Sequence, residues 1–174
     1  MITSDNIEKI IESKKKLERI LNVKITIEDQ NISAEGKPED EYIAEKVIEA
    51  INFGFRPPVA LMIKKYDFLF EILNIKDFTR RKDLETIRAR IIGKGGKTLR
   101  TLSNLTECFF EIKGNEVGII CAPEKIKNVQ EAVVSIIQGS KQANVYSFLE
   151  KHQVQPIIDL GLKEQKKKGK KTKE

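Results

Sequence analysis

Three glycines in four residues, Gly93-Lys94-Gly95-Gly96, separate two stretches that carry helical periodicity. Residues 83–92 read as a helix whose apolar patch closes on Ile91 and Ile92, and Leu99, Leu102 and Leu105 recur at helical spacing beyond the turn. A turn lacking Cβ atoms at three positions lets a partner's backbone come close and adopts φ > 0 at little cost. It also opens a helix, whose free N–H groups and positive dipole end favour a phosphate. Arg88, Arg90, Lys94, Lys97 and Arg100 surround it. The expected ligand is a phosphodiester.

Two ways of holding a phosphate compete for this loop. Gly96-Lys97-Thr98 reads like the end of a GxxxxGK[ST] nucleotide-binding loop. That pattern needs Gly or Ala five residues before Gly96, where this chain has Ile91, and it follows a strand rather than a helix. The alternative is the GXXG loop of a K-homology (KH) domain, which sits between two helices and clamps the backbone of about four single-stranded nucleotides. Ile91-Ile92-Gly93-Lys94-Gly95-Gly96 followed by Leu99 resembles that core motif, and the KH reading is preferred.

Charge supports the choice once it is located. The 174 residues carry a net +6, but residues 163–174 alone hold seven Lys and two Glu, a net +5. Residues 76–104 hold nine basic and three acidic residues, a net +6, whereas residues 1–56 hold nine basic and twelve acidic, a net −3. Basic charge thus gathers at the glycine turn and the tail, as in a nucleic-acid binder. Tryptophan is absent and aromatics are 6%, which favours an aliphatic groove over a base-stacking platform. No apolar run approaches the ~18 residues of a membrane span, and the N-terminus has no signal-peptide layout, so a cytoplasmic protein without a membrane partner is expected.

Taken in order, residues 3–21 read as a helix with Ser4 or Asp5 as cap and Ile7, Ile10, Ile11, Leu17, Ile20 and Leu21 on its apolar face. Residues 23–27 and 32–34 read as strands around a turn at 29–31, and Pro38 opens an acidic helix start that runs to Gly54. Past Pro57-Pro58, a short helix at 59–65 leads to a strand at 68–73 and a basic connection at 76–82. After the two helices of the glycine turn, residues 108–113 and 116–121 form a hairpin on Gly114-Asn115. Pro123 starts a helix ending at Gly139, and 144–151 adds a last helical piece. The expected class is α+β: two tandem type I KH-like modules, each a three-stranded antiparallel sheet with helices on one face. Residues 1–56 form the first, degenerate module, which lacks its front and any GXXG. Residues 57–152 form the second, and 153–174 a disordered basic tail. Residues 14–25 parallel 97–112 faintly, which places the missing clamp near residues 8–11.

The chain resembles one KH family closely, the archaeal and eukaryotic small-subunit ribosome-assembly factors of the Partner of Nob-one, or Dim-two, type. The residues that carry this are Gly54-Phe55 before a proline, Phe70-Glu71-Ile72 leading to Ile75-Lys76-Asp77-Phe78, the run from Arg88 to Thr98, and Val145-Tyr146-Ser147-Phe148-Leu149-Glu150. The resemblance implies binding of single-stranded rRNA at the 3′ end of small-subunit rRNA during maturation. It implies partnership with the endonuclease that cuts there and, in archaea, with the α subunit of a translation initiation factor. It further implies a groove floored by Ile91, Ile92, Leu99 and Ile112, a clamp from Gly93, Lys94, Gly95 and Gly96, and charge from Arg88, Arg90, Lys94, Lys97 and Arg100.

No catalytic, metal or cofactor chemistry is expected. His152 is the only histidine and stands in a polar stretch without partners for a metal or a reaction. Cys108 and Cys121 would face each other across the hairpin as small buried hydrophobes, with a disulfide as the lesser reading. A protein-docking adaptor and a P-loop-like enzyme are the alternatives to an RNA-binding assembly factor.

Overall fold

The computed structural model describes residues 2–3, 6–28 and 31–152, and in them the chain builds two three-stranded antiparallel sheets. The first comprises β1 (Ile2–Thr3), β2 (Lys24–Glu28) and β3 (Asn31–Glu35) in the order β1-β3-β2. Helix α1 (Ile7–Leu21) precedes β2, and α2 (Pro38–Phe53) follows β3. Ile10, Leu17 and Leu21 of α1 are buried against Val47, Ile48 and Ile51 of α2 and Ile25 and Ile32 of the sheet. Pro38 at the start of α2 loses no useful N–H, and Glu39, Asp40 and Glu41 meet the positive end of its dipole.

Three sequence expectations change here. Thr3 lies in a strand, and α1 starts only at Ile7, after Asn6, whose side-chain amide donates to the Asn52 carbonyl at 2.8 Å. Ser4 and Asp5, named as caps, lie outside the described residues, as does the tail at 153–174. The front of the first unit is thus shortened rather than missing: a two-residue strand pairs Ile2 with Ile32 and Thr3 with Asn31. Ile11 is exposed, because a step of 100° from buried Ile10 carries it off the apolar face.

Short helical turns α3 (Pro57–Ala60) and α4 (Met62–Lys65), where one helix was expected, lead into the second unit. It runs β4 (Leu69–Asn74), a 3₁₀ turn at Ile75–Phe78, α5 (Leu84–Ile92), α6 (Lys97–Thr106), β5 (Phe109–Lys113), β6 (Glu116–Cys121), α7 (Pro123–Gln138) and α8 (Gln142–Lys151). Sheet order is β4-β6-β5, the same edge–centre–edge arrangement as the first sheet. Gly114-Asn115 is the hairpin turn, with Lys113 opposite Glu116. The first unit has one helix, α1, where the second has the pair α5 and α6 with the glycine turn between them.

The central strand of the second sheet, β6, is buried on both faces. Val117, Ile119 and Cys121 point into the core formed with Ile87, Ile91, Leu102, Val133 and Ile136. The alternate residues, Gly118 and Ile120, face the first unit, as the two-residue period of a strand requires. Phe53 and Phe55 stack with ring centroids 6.1 Å apart, and Phe70 meets them edge-on at 6.0 and 5.8 Å. A Cβ on Gly118 would stand 2.6 Å from the Phe53 ring and 2.9 Å from that of Phe55, so only glycine admits both rings. The units share this aromatic joint, and Lys113 Nζ bonds the Asn52 carbonyl beside it at 3.3 Å.

Candidate nucleic-acid interface

Helix α5 is fixed at its start by Asp83, whose Oδ1 accepts from the Thr86 N–H at 3.2 Å. Ile87 and Ile91, four residues apart, form its buried face. A different stripe, Glu85, Arg88, Ala89 and Ile92, follows the spacing i, i+3, i+4, i+7 and lines an open groove of about 340 Å³. Ile112 and Gly114 of the β5–β6 hairpin form the far wall. Arg88 Nη1 donates across it to the Gly114 carbonyl at 3.2 Å, which ties hairpin to helix. An apolar floor of Ile92, Ala89 and Ile112 suits a flat ring. The Glu85 carboxylate can accept from an amine at its edge, and the remaining Arg88 N–H groups can donate.

The glycine turn has an inner and an outer side. Gly93 (φ 74°, ψ 169°) faces inward: a Cβ there would lie 2.1 Å from Thr98 Oγ1. Thr98 is buried, and its hydroxyl accepts from Gln142 Nε2 at 2.8 Å. The same amide nitrogen reaches the Arg90 carbonyl at 3.2 Å, and Arg90 Nη2 donates to the Ser140 carbonyl at 2.8 Å. Helix α8 and its connection to α7 thus hold both helices that flank the turn. Gly95 (φ 60°) and Gly96 (φ 74°) face outward, and a Cβ built on either meets no described atom within 4 Å. Lys94 and Lys97 are exposed beside them, at the positive dipole end of the ten-residue α6, where the Gly96 and Lys97 N–H groups donate to the Gly93 and Lys94 carbonyls.

The structure sorts the sequence-derived site residues accordingly. Arg88, Ile92 and Ile112 line the groove; Lys94, Gly95, Gly96 and Lys97 form the open turn; Arg100 is exposed one turn further along α6. Ile91 is fully buried and belongs to the core rather than to the groove floor. Leu99 is half-buried against that core and does not line the groove. Arg90 points to the α7–α8 connection, and Gly93 is closed off by Thr98. A nucleotide-binding P-loop is excluded, because helix α5 stands where its strand would have to be.

Cys108 and Cys121 are free, buried thiols at opposed ends of the hairpin. Cys108 Sγ donates to the Thr106 carbonyl at 3.3 Å, and a hydrogen bond with Cys108, with burial second, pushes the Cys121 thiol up. His152 is exposed and rests its ring on Phe148 at 4.3 Å. Among the described residues no three potential ligands gather into a metal site, and no helix is long and apolar enough to cross a membrane.

Residues 69–154 match the family model described as the eukaryotic-type KH domain (KH domain type I). A KH domain-containing protein of Methanocaldococcus jannaschii is 30% identical over 145 residues, which are 79% of this chain and 64% of that protein. The RNA-binding protein PNO1 of Oryzias latipes is 31% identical over 131 residues, 74% of this chain and 51% of that one. The a/eIF2alpha-aDim2p-rRNA complex from Pyrococcus horikoshii contains a chain that superposes with a TM-score of 0.77 at 27% identity, covering 86% of this chain and 90% of that one. The chain carries a type I KH domain and, over most of its length, is similar to the PNO1 and Dim2 proteins. It spans between half and two thirds of the length of these two curated relatives.

Within this KH chain, sequence reasoning missed Glu85, Ala89 and Gly114 as lining residues and Gln142 as the brace. The signal for the first two was present: extending the α5 stripe back from Ile92 by three, four and seven residues gives Ala89, Arg88 and Glu85. Gln142 carries no such signal, since its partners are 44 and 52 residues away in sequence.

Proposed function

We propose that this chain binds single-stranded rRNA near the 3′ end of the small-subunit rRNA and holds it while the subunit matures, without itself catalysing a reaction. The observation that carries this reading is the open outer side of the glycine turn, with Lys94 and Lys97 beside it, at the end of an aliphatic groove. Phosphates sit on the turn and the opening of α6, and bases lie in the groove over Ile92 and Ile112. Residues 57–152 act as the RNA-binding KH domain. Residues 1–56 form a degenerate KH-like module, without a clamp and with an acidic excess, that stiffens the second through the Phe53–Phe55–Phe70 joint and offers a face to proteins. The basic tail adds affinity for any RNA. An initiation-factor α subunit is a partner by analogy with the Pyrococcus complex. The rRNA-cutting endonuclease is a partner by family resemblance, and both meetings take place in the cytoplasm. Crosslinking in cells, followed by sequencing of the attached RNA, tests the assignment. Reads should pile up near the 3′ end of small-subunit rRNA, and an even spread over unrelated transcripts contradicts it.

A further inference from the structure

The groove leaves one strongly charged element unused. Lys76, Arg80, Arg81 and Lys82 are exposed, and with Asp77 and Asp83 they leave a net +2 over residues 76–83. The loop has defined ends: the Arg81 N–H donates to Thr79 Oγ1 at 3.2 Å, and Asp83 caps α5. It therefore enters α5 at one end while the glycine turn leaves at the other, and nine helical residues separate the two by roughly 13 Å. Between them the helix presents Glu85, Arg88, Ala89 and Ile92 to the groove. Cationic loop, groove and phosphate-binding turn lie in sequence along one helix.

We propose that the loop at residues 79–82 is a second phosphodiester site, which takes the backbone of RNA that continues past the groove. The inference rests on the reading of the groove as an RNA interface. It adds that the footprint is longer than the roughly four nucleotides of a GXXG clamp. Arg80, Arg81 and Lys82 carry the contacts. The phosphates come either from a continuing single strand or from a stem joined to it.

Fluorescence anisotropy on the full chain separates these sources. The probes are an unstructured mixed-sequence tetranucleotide, the same four residues extended by four unpaired nucleotides at the 5′ or the 3′ side, and the same four joined to a short hairpin stem. Wild-type protein should bind at least one extended probe about tenfold more tightly than the tetranucleotide. The triple variant R80A/R81A/K82A, confined to exposed side chains, should lose that gain and hold the tetranucleotide within about twofold. Its log–log salt slope on a single-stranded extension should fall by about 2, at roughly 0.7 per phosphate. A gain seen only with the stem probe assigns the site to duplex backbone; a gain with an unpaired extension assigns it to the strand. A variant that keeps the gain, or that weakens all probes alike, overturns the proposal. Wild-type protein that binds the tetranucleotide but gains nothing from any extension overturns this site alone. Protein that binds no probe overturns the groove reading and this site together.

Discussion

Thr98 Oγ1 occupies the space that a Cβ on Gly93 would need, 2.1 Å from it, and the same oxygen accepts from Gln142 Nε2 at 2.8 Å. The glycine turn is thereby anchored on its inner side by a threonine of α6 and a glutamine of α8, while its outer side stays open. Conformational freedom at Gly95 and Gly96 and packing at Gly93 are separate demands met by the same residue type.

Substitution at Gly93 should accordingly cost more than substitution at Gly95. Gly93→Ala adds both a left-handed-region penalty and a collision with Thr98, for a loss of roughly 3 kcal/mol. Gly95→Ala meets no described neighbour and should cost about 1 kcal/mol. Urea denaturation of the two variants checks the order; equal losses would mean that Thr98 moves aside freely.

Gln142→Ala should loosen the turn without unfolding the protein. It removes two hydrogen bonds, one to a buried hydroxyl, for a stability loss of about 1–2 kcal/mol. Amide exchange across residues 93–98 should quicken more than exchange in β6. Uniform quickening would show that α8 supports the whole unit rather than the clamp.

At the joint between the sheets, Gly118→Val should cost about 1–3 kcal/mol by forcing the Phe53 and Phe55 rings apart. Pairing it with Phe53→Leu should recover part of the loss, because the smaller side chain returns the space. Additive losses in the double variant would place the damage in the β6 backbone instead.

Much of this architecture is legible in the chain. The turn at Gly93-Lys94-Gly95-Gly96, the Gly114-Asn115 hairpin and the Pro123–Gln138 helix carry strong glycine, proline and periodicity signals, and the structure places each where the sequence does. Adjacent residues were harder to sort. Ile91 and Ile92 are chemically alike, but 100° of helix rotation buries one and leaves the other at 38% exposure. Arg88 and Arg90, two apart on α5, likewise point to the hairpin and to the α7–α8 connection. The two-residue strand Ile2–Thr3 is too short to show alternation and is set by pairing with Asn31 and Ile32. Local pattern gives an element and its period, whereas its phase is decided by partners distant in sequence.

The central claim is that the outer side of the glycine turn holds RNA by its phosphates. Lys94→Asp combined with Gly95→Asp places two carboxylates there and removes one ammonium, without touching the buried residues Ile87, Ile91, Thr98 and Leu102. The measurement is equilibrium binding of a single-stranded RNA from the 3′ end of small-subunit rRNA, with circular dichroism confirming the fold. Affinity should fall by roughly 100-fold or more in the folded double variant. Wild-type affinity in that folded variant would contradict the account.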